Sequence, residues 1–221
     1  MRAVFFDLDD TLVDQESAAV TAVVAWAAEH GIEGADVVPR WAEVSANCYS
    51  RYQRRELTFL EQRRERARSF LGVDADDTRA DELFAGYLRR YEANWTVFDD
   101  AVPALRRAKA SGLIVAVLTN GDEAHQRFKL EKLGLTNEVD VFVASSVLPA
   151  GKPDPRAFAH ALDVVGVAHD DALMVGNSLR TDVLGALGAG VDAVLLDRHD
   201  RHPDADVRRI RSLAELDFDA N

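Results

Sequence analysis

The chain has 221 residues, 48% of them hydrophobic and 29% charged, with a formal net charge of −12. At roughly 100–200 residues per domain, this length fits one large domain or a core with a smaller insertion, and the apolar fraction suffices for a packed interior. The acidic balance excludes a nucleic-acid footprint, which needs clustered positive charge, and an anionic ligand would have to meet a cation or a local basic group at its site. The single cysteine, Cys48, allows no intrachain disulfide, as in a reducing cytosol. The apolar run at the N-terminus is too short for a signal peptide, and no stretch reaches the ~18 apolar residues of a membrane span. A cytoplasmic location with no membrane partner is therefore expected.

Ala3 to Phe6 is a short apolar run without polar alternation, which predicts a strand covered on both faces. It ends abruptly in Asp7-Leu8-Asp9-Asp10-Thr11. From about Glu16 to Trp95 the pattern is helical. Val20, Val23, Val24 and Ala27 recur at i, i+3, i+4 and i+7, and Val37, Trp41, Val44 and Cys48 form a second stripe. Leu57, Leu60, Ala67 and Leu71 make a weaker third, and Phe84, Tyr87, Leu88, Tyr91 and Trp95 the strongest. Thr78 with Asp81 reads as a capping pair for that last helix. No strand-like run interrupts the block.

After Trp95 strands and helices alternate. Ala101, Ala104, Leu105 and Ala108 mark a helix, and Leu113 to Leu118 a strand. A helix carrying Phe128 ends at Gly134, and Asp140 to Ala144 is the next strand. Phe158, Ala161, Leu162 and Val165 mark a helix opened by Asp154-Pro155, a cap residue and a proline at the first position. Ala172 to Val175 is a strand, Arg180 to Ala189 a helix, and Val191 to Leu196 the last clear strand. Glycines at 112, 134, 166 and 190 close the helices. Arg198 to Asp206 reads as a polar surface loop. Such alternation implies right-handed parallel crossovers, hence an α/β fold with a doubly wound parallel sheet. The core is expected over 1–15 and 97–221, with an all-helical cap inserted over 16–96. In open sheets of this kind the ligand binds at the carboxyl ends of the strands.

Four polar clusters follow four predicted strands: Asp7 to Thr11, Thr119-Asn120-Gly121, Gly151-Lys152-Pro153, and Gly176 to Asp182. Asp7 and Asp9, two apart on extended chain, project the same way and repel each other, so they call for a divalent cation. With Asp182 they offer three oxygen donors, a set that suits Mg²⁺. An ionised Asp7 can attack phosphorus, and Asp9 can protonate the leaving oxygen and then deprotonate water. Thr119 and the amide of Asn120 can hold phosphoryl oxygens, and Lys152 can neutralise charge in the transition state. Each cluster alone is an ordinary cap or turn; their joint order, each after a strand, is what carries the reading.

On these residues the chain resembles the haloacid dehalogenase superfamily, in its phosphatase branch with a helical cap. Phe6 to Leu12, Leu118 to Gly121, Lys152 within Gly151 to Pro155, and Val175 to Asp182 correspond to its four motifs. The resemblance implies a Rossmann-like core, an aspartyl-phosphate intermediate on Asp7, Asp9 as acid and base, and Thr119 as phosphate ligand. It also implies Lys152 as charge stabiliser and Asp182 as metal ligand, Mg²⁺ as cofactor and a small phosphorylated metabolite as substrate. No feature specifies an oligomeric state. Asn177 stands where many relatives carry aspartate; its amide oxygen can still serve the ion without adding charge. Gln126 and Lys129 to Gly134 are similar to nucleotidase-like and acylneuraminate-phosphate phosphatase members. The rival readings are a sugar phosphomutase, a 2-haloacid dehalogenase, against which the second aspartate, Asp9, speaks, and a non-catalytic binding protein.

Other features carry less. Arg51, Arg54, Arg55, Arg63, Arg64, Arg66 and Arg68 read as a solvated helix face paired with Glu56, Glu61 and Glu65. His125 reads as a surface residue. His199 and His202 with Asp197 and Asp200 lack metal-site spacing. Trp26, Trp41 and Trp95 read as packing residues, and Cys48 as buried and inert.

Overall fold

Apolar runs with no polar alternation are what a sheet buried on both faces requires, and that is how they pair. β1 (Ala3–Phe6), β2 (Ile114–Thr119), β3 (Val141–Ala144), β4 (Ala172–Gly176), β5 (Asp192–Leu196) and β6 (Arg209–Ile210) form one parallel sheet in the order β3-β2-β1-β4-β5-β6. The computed structural model describes residues 1–148 and 150–218. Pro149 and residues 219–221, which fall in the expected core range, lie outside the described residues. The chain divides into two compact units, Met1–Asp14 with Val97–Asn221, and Gln15–Thr96.

In the first unit the two faces of the sheet bury alternate residues. Val4, Phe6, Val115, Val117, Leu173, Val175, Val194 and Leu196 point into one core. It is closed by Ala101, Ala104, Leu105 and Ala108 of a helix at Ala101–Ala110, every one fully buried as its periodicity predicts. Ala3, Phe5, Ala116, Leu118, Met174 and Leu195 point into the other core, against Phe158 and Ala161 of a helix at Pro155–Val165. Gly166 ends that helix at φ 75°, in the left-handed region. The order reverses between β1 and β4, and such switch points open a crevice at the strand ends.

Two features of this unit differ from the sequence expectation. The helix expected over Arg180 to Ala189 is a π-helical segment, Leu179–Leu184, that runs into a short α-helix, Gly185–Gly188. Close packing fixes that end: a Cβ on Gly185 would lie 2.9 Å from Pro153 Cα. The chain also returns to the sheet after the loop at 198–206 as β6, which pairs with β5 over only two residues, too few to leave a periodic signal.

The second unit is helical throughout, with α1 (Gln15–Glu29), α2 (Val37–Gln53), α3 (Phe59–Leu71) and α4 (Asp77–Ala93). Its core is aromatic. Trp26 stacks on Phe70 at 5.4 Å between centroids, and Trp41 meets Tyr87 at 4.5 Å. Trp26 rests on Gly86, where a Cβ would lie 3.2 Å from its Nε1. That seat rotates α1 from the expected face: Ala18, Ala22, Val23, Trp26 and Ala27 are buried, whereas Val20 and Val24 are exposed. On α3 the buried residues are Gln62, Ala67 and Phe70, and Leu60 is exposed. The cap of α4 is Asp76, which accepts from Arg79 N at 2.8 Å, rather than Thr78. Asp81, its expected partner, binds Arg64 instead at 2.8 and 2.7 Å. Arg54 pairs with Glu56, Arg51 lies 3.9 Å from Glu65, and Arg64 and Arg68 pair with Asp77. Glu61 is taken up by a capping box with Thr58. Arg63 and Arg66 lie over Phe59 and Trp41. Cys48 is buried.

Candidate active site

β1 ends where its polar sequence begins, and the N–H of Asp7 still follows the sheet, donating to Val175 O at 2.9 Å. Asp10 then takes φ 60°, a left-handed conformation that a short polar side chain tolerates, and the chain turns away. The two motif carboxylates have different partners. Asp7 points at Lys152, whose Nζ lies 2.8 Å from Asp7 Oδ1 and 2.6 Å from Asp182 Oδ1. Asp9 points toward the helix at Glu123–Lys132, α5 hereafter, where Gln126 Nε2 donates to its Oδ2 at 2.8 Å and Lys129 Nζ contacts its Oδ1.

Each partner is held in turn. The side chain of Asn120 clamps the backbone of Lys152, donating to its carbonyl at 2.7 Å and accepting its N–H at 2.8 Å. Asp182, 1% exposed, accepts Ser178 N at 2.9 Å on its other oxygen. Thr119, at the end of β2, accepts from Gln126 Nε2 at 2.9 Å. Thr11 accepts Asn177 N at 3.1 Å, and its hydroxyl lies 3.3 Å from Asp7 Oδ2 and 3.4 Å from Asn177 Oδ1.

Electrostatics follow from this packing. Burial pushes the Asp7 carboxyl up to about 7; the Lys152 ammonium opposes the rise and the Asp182 charge adds to it. Burial lowers the Lys152 ammonium, but Asp182 and Asp7 outweigh it and the group stays above its ordinary value. Lys152 therefore remains charged between two carboxylates, and once Asp7 is ionised one buried negative charge is left uncompensated.

The structure brings together Asp7, Asp182, Lys152 and Asn177 as one cluster, and Asp9, Thr119, Gln126 and Lys129 as a second beside it. It does not bring the Asp9 carboxylate into the group expected to hold an ion. Among the described residues no three His, Cys, Asp or Glu side chains converge as a metal cluster. Asp7, Asp182 and the Asn177 amide still fit a hard cation, because all are oxygen donors and their surplus charge is negative. Asp197 serves neither cluster, nor a metal with the nearby histidines. Its carboxylate accepts the N–H groups of Arg201 and His202 at 2.7 and 2.8 Å and pairs with Arg209.

Thr11 lies within the first motif, and Gln126 and Lys129 within the segment similar to acylneuraminate-phosphate phosphatases, but none of the three had a role at the site from the sequence alone. A signal existed for the last two: glutamine and lysine at i and i+3 occupy the buried face of α5, where apolar residues would ordinarily stand. Phe128, the apolar residue that marks this helix in the sequence, is exposed.

A family model described as haloacid dehalogenase-like hydrolase matches residues 1–190. The chain belongs to this family and is an enzyme of its phosphatase branch. It is 38% identical over 141 residues to a phosphoserine phosphatase of Thermus thermophilus, a match covering 62% of this chain and 56% of that protein. It is 33% identical over 207 residues to a phosphoglycolate phosphatase of Rhodospirillum rubrum, covering 88% and 79%. A solved HAD-hydrolase of Bacillus subtilis bound to magnesium shares the fold at TM-score 0.78 and 22% identity, covering 97% of this chain and 96% of that one. No helix among the described residues is long and apolar enough to cross a membrane.

Proposed function

We propose that this enzyme hydrolyses a phosphomonoester of a small metabolite through a covalent phosphate on Asp7. The observation that carries the reading is the Lys152 ammonium bridging Asp7 and Asp182 at 2.8 and 2.6 Å, with Thr119 and Asp9 joined through Gln126 alongside. In the first step an oxygen of Asp7 bonds to phosphorus while the ester oxygen leaves with a proton from Asp9. In the second, Asp9 takes a proton from water as its oxygen bonds to phosphorus, and the Asp7–phosphorus bond breaks to release inorganic phosphate. Thr119 and the Asn120 backbone N–H hold phosphoryl oxygens, and Lys152 keeps Asp7 oriented and offsets the phosphoryl charge. Mg²⁺ would be held by Asp7, Asp182 and Asn177, and would supply electrostatic shielding between the phosphate and the carboxylates.

The inserted helical unit is read as the cap that selects substrate, and the lone buried Cys48 accords with a cytoplasmic enzyme. Asp9 argues for phosphate chemistry over dehalogenation, which needs no second aspartate. The test is release of inorganic phosphate from a set of nucleotides, sugar phosphates and small carboxylic-acid phosphates with Mg²⁺, beside Asp7→Asn. Turnover by the wild type and its loss in the variant are expected. Retention of rate by Asp7→Asn excludes the nucleophile, and isomerised product without free phosphate makes the enzyme a mutase.

A further inference from the structure

The proposed acid and base, Asp9, lies just beyond the end of β1, yet both its oxygens are held by one face of α5. Lys129, 1% exposed, contacts Oδ1, and Gln126, also buried, donates to Oδ2 at 2.8 Å. The same Gln126 amide reaches Thr119 Oγ1 at 2.9 Å. One –NH₂ group therefore ties the group that moves the proton to the group that would hold the phosphoryl oxygen.

The orientation of that amide is not free. Its Oε1 is buried with no hydrogen-bond partner among the described residues, at a cost of about 1–3 kcal/mol for an unsatisfied acceptor. Turning the amide over would set its oxygen against the Asp9 carboxylate oxygen, 2.8 Å from the present nitrogen, a repulsion that the observed orientation avoids. A buried ammonium and a half-satisfied amide on the inner face of a helix are poor choices for packing alone, since apolar side chains there would avoid both costs. The fold also makes room for them. A Cβ on Gly121 would stand 2.9 Å from Gln126 Cγ and 3.0 Å from its Nε2, so the glycine of the Thr-Asn-Gly turn is the seat of Gln126.

We propose that Lys129 and Gln126 are positioning residues for proton transfer: they fix the Asp9 carboxyl relative to Thr119, and so relative to the ester oxygen that leaves. The inference rests on the phosphatase reading above. Neither residue needs to touch substrate. Their contribution should grow as the leaving oxygen becomes more dependent on a proton, because a well-placed acid matters most for a poor leaving group.

The experiment measures kcat/KM, which reports the steps up to cleavage of the ester bond, across substituted phenyl phosphates from nitrophenyl to methylphenyl. Wild type, Lys129→Met, Lys129→Arg, Gln126→Leu and Gly121→Ala are compared, with folding checked by thermal unfolding. In Lys129→Met and Gln126→Leu the loss for the poorest leaving group should exceed that for nitrophenyl phosphate by about tenfold or more. Lys129→Arg should restore part of the difference. Gly121→Ala, which displaces Gln126 without removing a polar group, should reproduce the Gln126→Leu pattern. An equal proportional loss across the whole series in folded variants overturns the inference, since Lys129 and Gln126 would then serve the fold alone. No phosphate release from any member by the wild type overturns the phosphatase reading, and this inference with it.

Discussion

A Cβ on Gly176 would stand 2.3 Å from Oδ2 of Asp182 and 2.4 Å from its Cγ, so the last residue of β4 leaves the space that the carboxylate occupies. Asp182 has nowhere to retreat: Lys152 holds one oxygen at 2.6 Å and Ser178 N the other at 2.9 Å. Gly176→Ala should cost at least about 1–3 kcal/mol of stability by overpacking. It should also raise the Mg²⁺ concentration needed for half-maximal activity by about tenfold, because a displaced donor weakens the ion's site. Activity titrated with Mg²⁺, beside denaturant unfolding, checks both effects. An unchanged Mg²⁺ requirement would remove Asp182 from the metal-binding role.

Asp7 gives the metal-free protein a pH dependence of definite sign. Its carboxyl rises from 3.8 to about 7, chiefly by burial. A raised carboxyl contributes stability that is fully present below the unfolded value and is lost as pH climbs through the folded one. Between pH 5.5 and 8, in chelator, the wild type should lose about 2 kcal/mol through this group. Asp7→Asn carries no such proton and should lose less over the same window. Denaturant unfolding of both proteins at the two pH values gives the comparison, and parallel behaviour would refute the assignment. Added Mg²⁺ should bind more weakly as pH falls below about 7, where a proton competes for the same oxygen.

How much of this was legible in the sequence depended on whether a feature was apolar and periodic or polar and paired. β1 ends in its acidic turn as the sequence shows, and the helix over Ala101–Ala110 buries its predicted stripe, because such runs are their own evidence. Asn120 was readable as a member of a motif, but its clamp on the Lys152 backbone joins residues 32 apart and has no local signature. Lys129 was hidden for a related reason: a lysine in a helix is ordinarily solvated, and only the fold reveals that Asp9 lies within its reach. The face of α1 was misread because Trp26, seated on Gly86 of another helix, decides it, and Val20 and Val24 do not.

Asn177 offers a direct test of the ion's place. Its backbone N–H donates to Thr11 Oγ1 at 3.1 Å, and its Oδ1 lies 3.4 Å from the same hydroxyl, which also lies 3.3 Å from Asp7 Oδ2. Asn177→Asp would add a third carboxylate around a single ammonium, Lys152. Without metal this repulsion should lower stability by about 1 kcal/mol, while the added charge should tighten Mg²⁺ binding by about three- to tenfold. Thermal unfolding with and without Mg²⁺ reads both effects. A variant with unaltered Mg²⁺ response would show that position 177 does not face the ion.

Asp100 precedes the Ala101–Ala110 helix, yet its side chain makes no cap hydrogen bond to it. Its carboxylate instead receives Arg198 at 2.8 Å from each of two nitrogens, Ser212 Oγ at 2.7 Å and Leu213 N at 2.9 Å. Burial alone would raise this carboxyl, but those hydrogen bonds outweigh it and hold it below the usual range. Asp100→Ala would leave the Leu213 N–H and the Arg198 guanidinium without that acceptor, at about 2–3 kcal/mol. A lowered carboxyl contributes stability present above its unfolded value and lost as pH falls through the folded one. The gap between wild type and variant should therefore be full at pH 7 and close as the solution is taken below 3.8, the ordinary value. Arg198 also donates to Thr11 O at 3.1 Å, so freeing it should loosen the turn that carries the Thr11 hydroxyl beside Asp7 and lower kcat as well. Denaturant unfolding across that pH range, paired with turnover at pH 7, separates the two effects; a gap that persists at low pH would mean that packing, rather than the ionised carboxylate, is what Asp100 contributes.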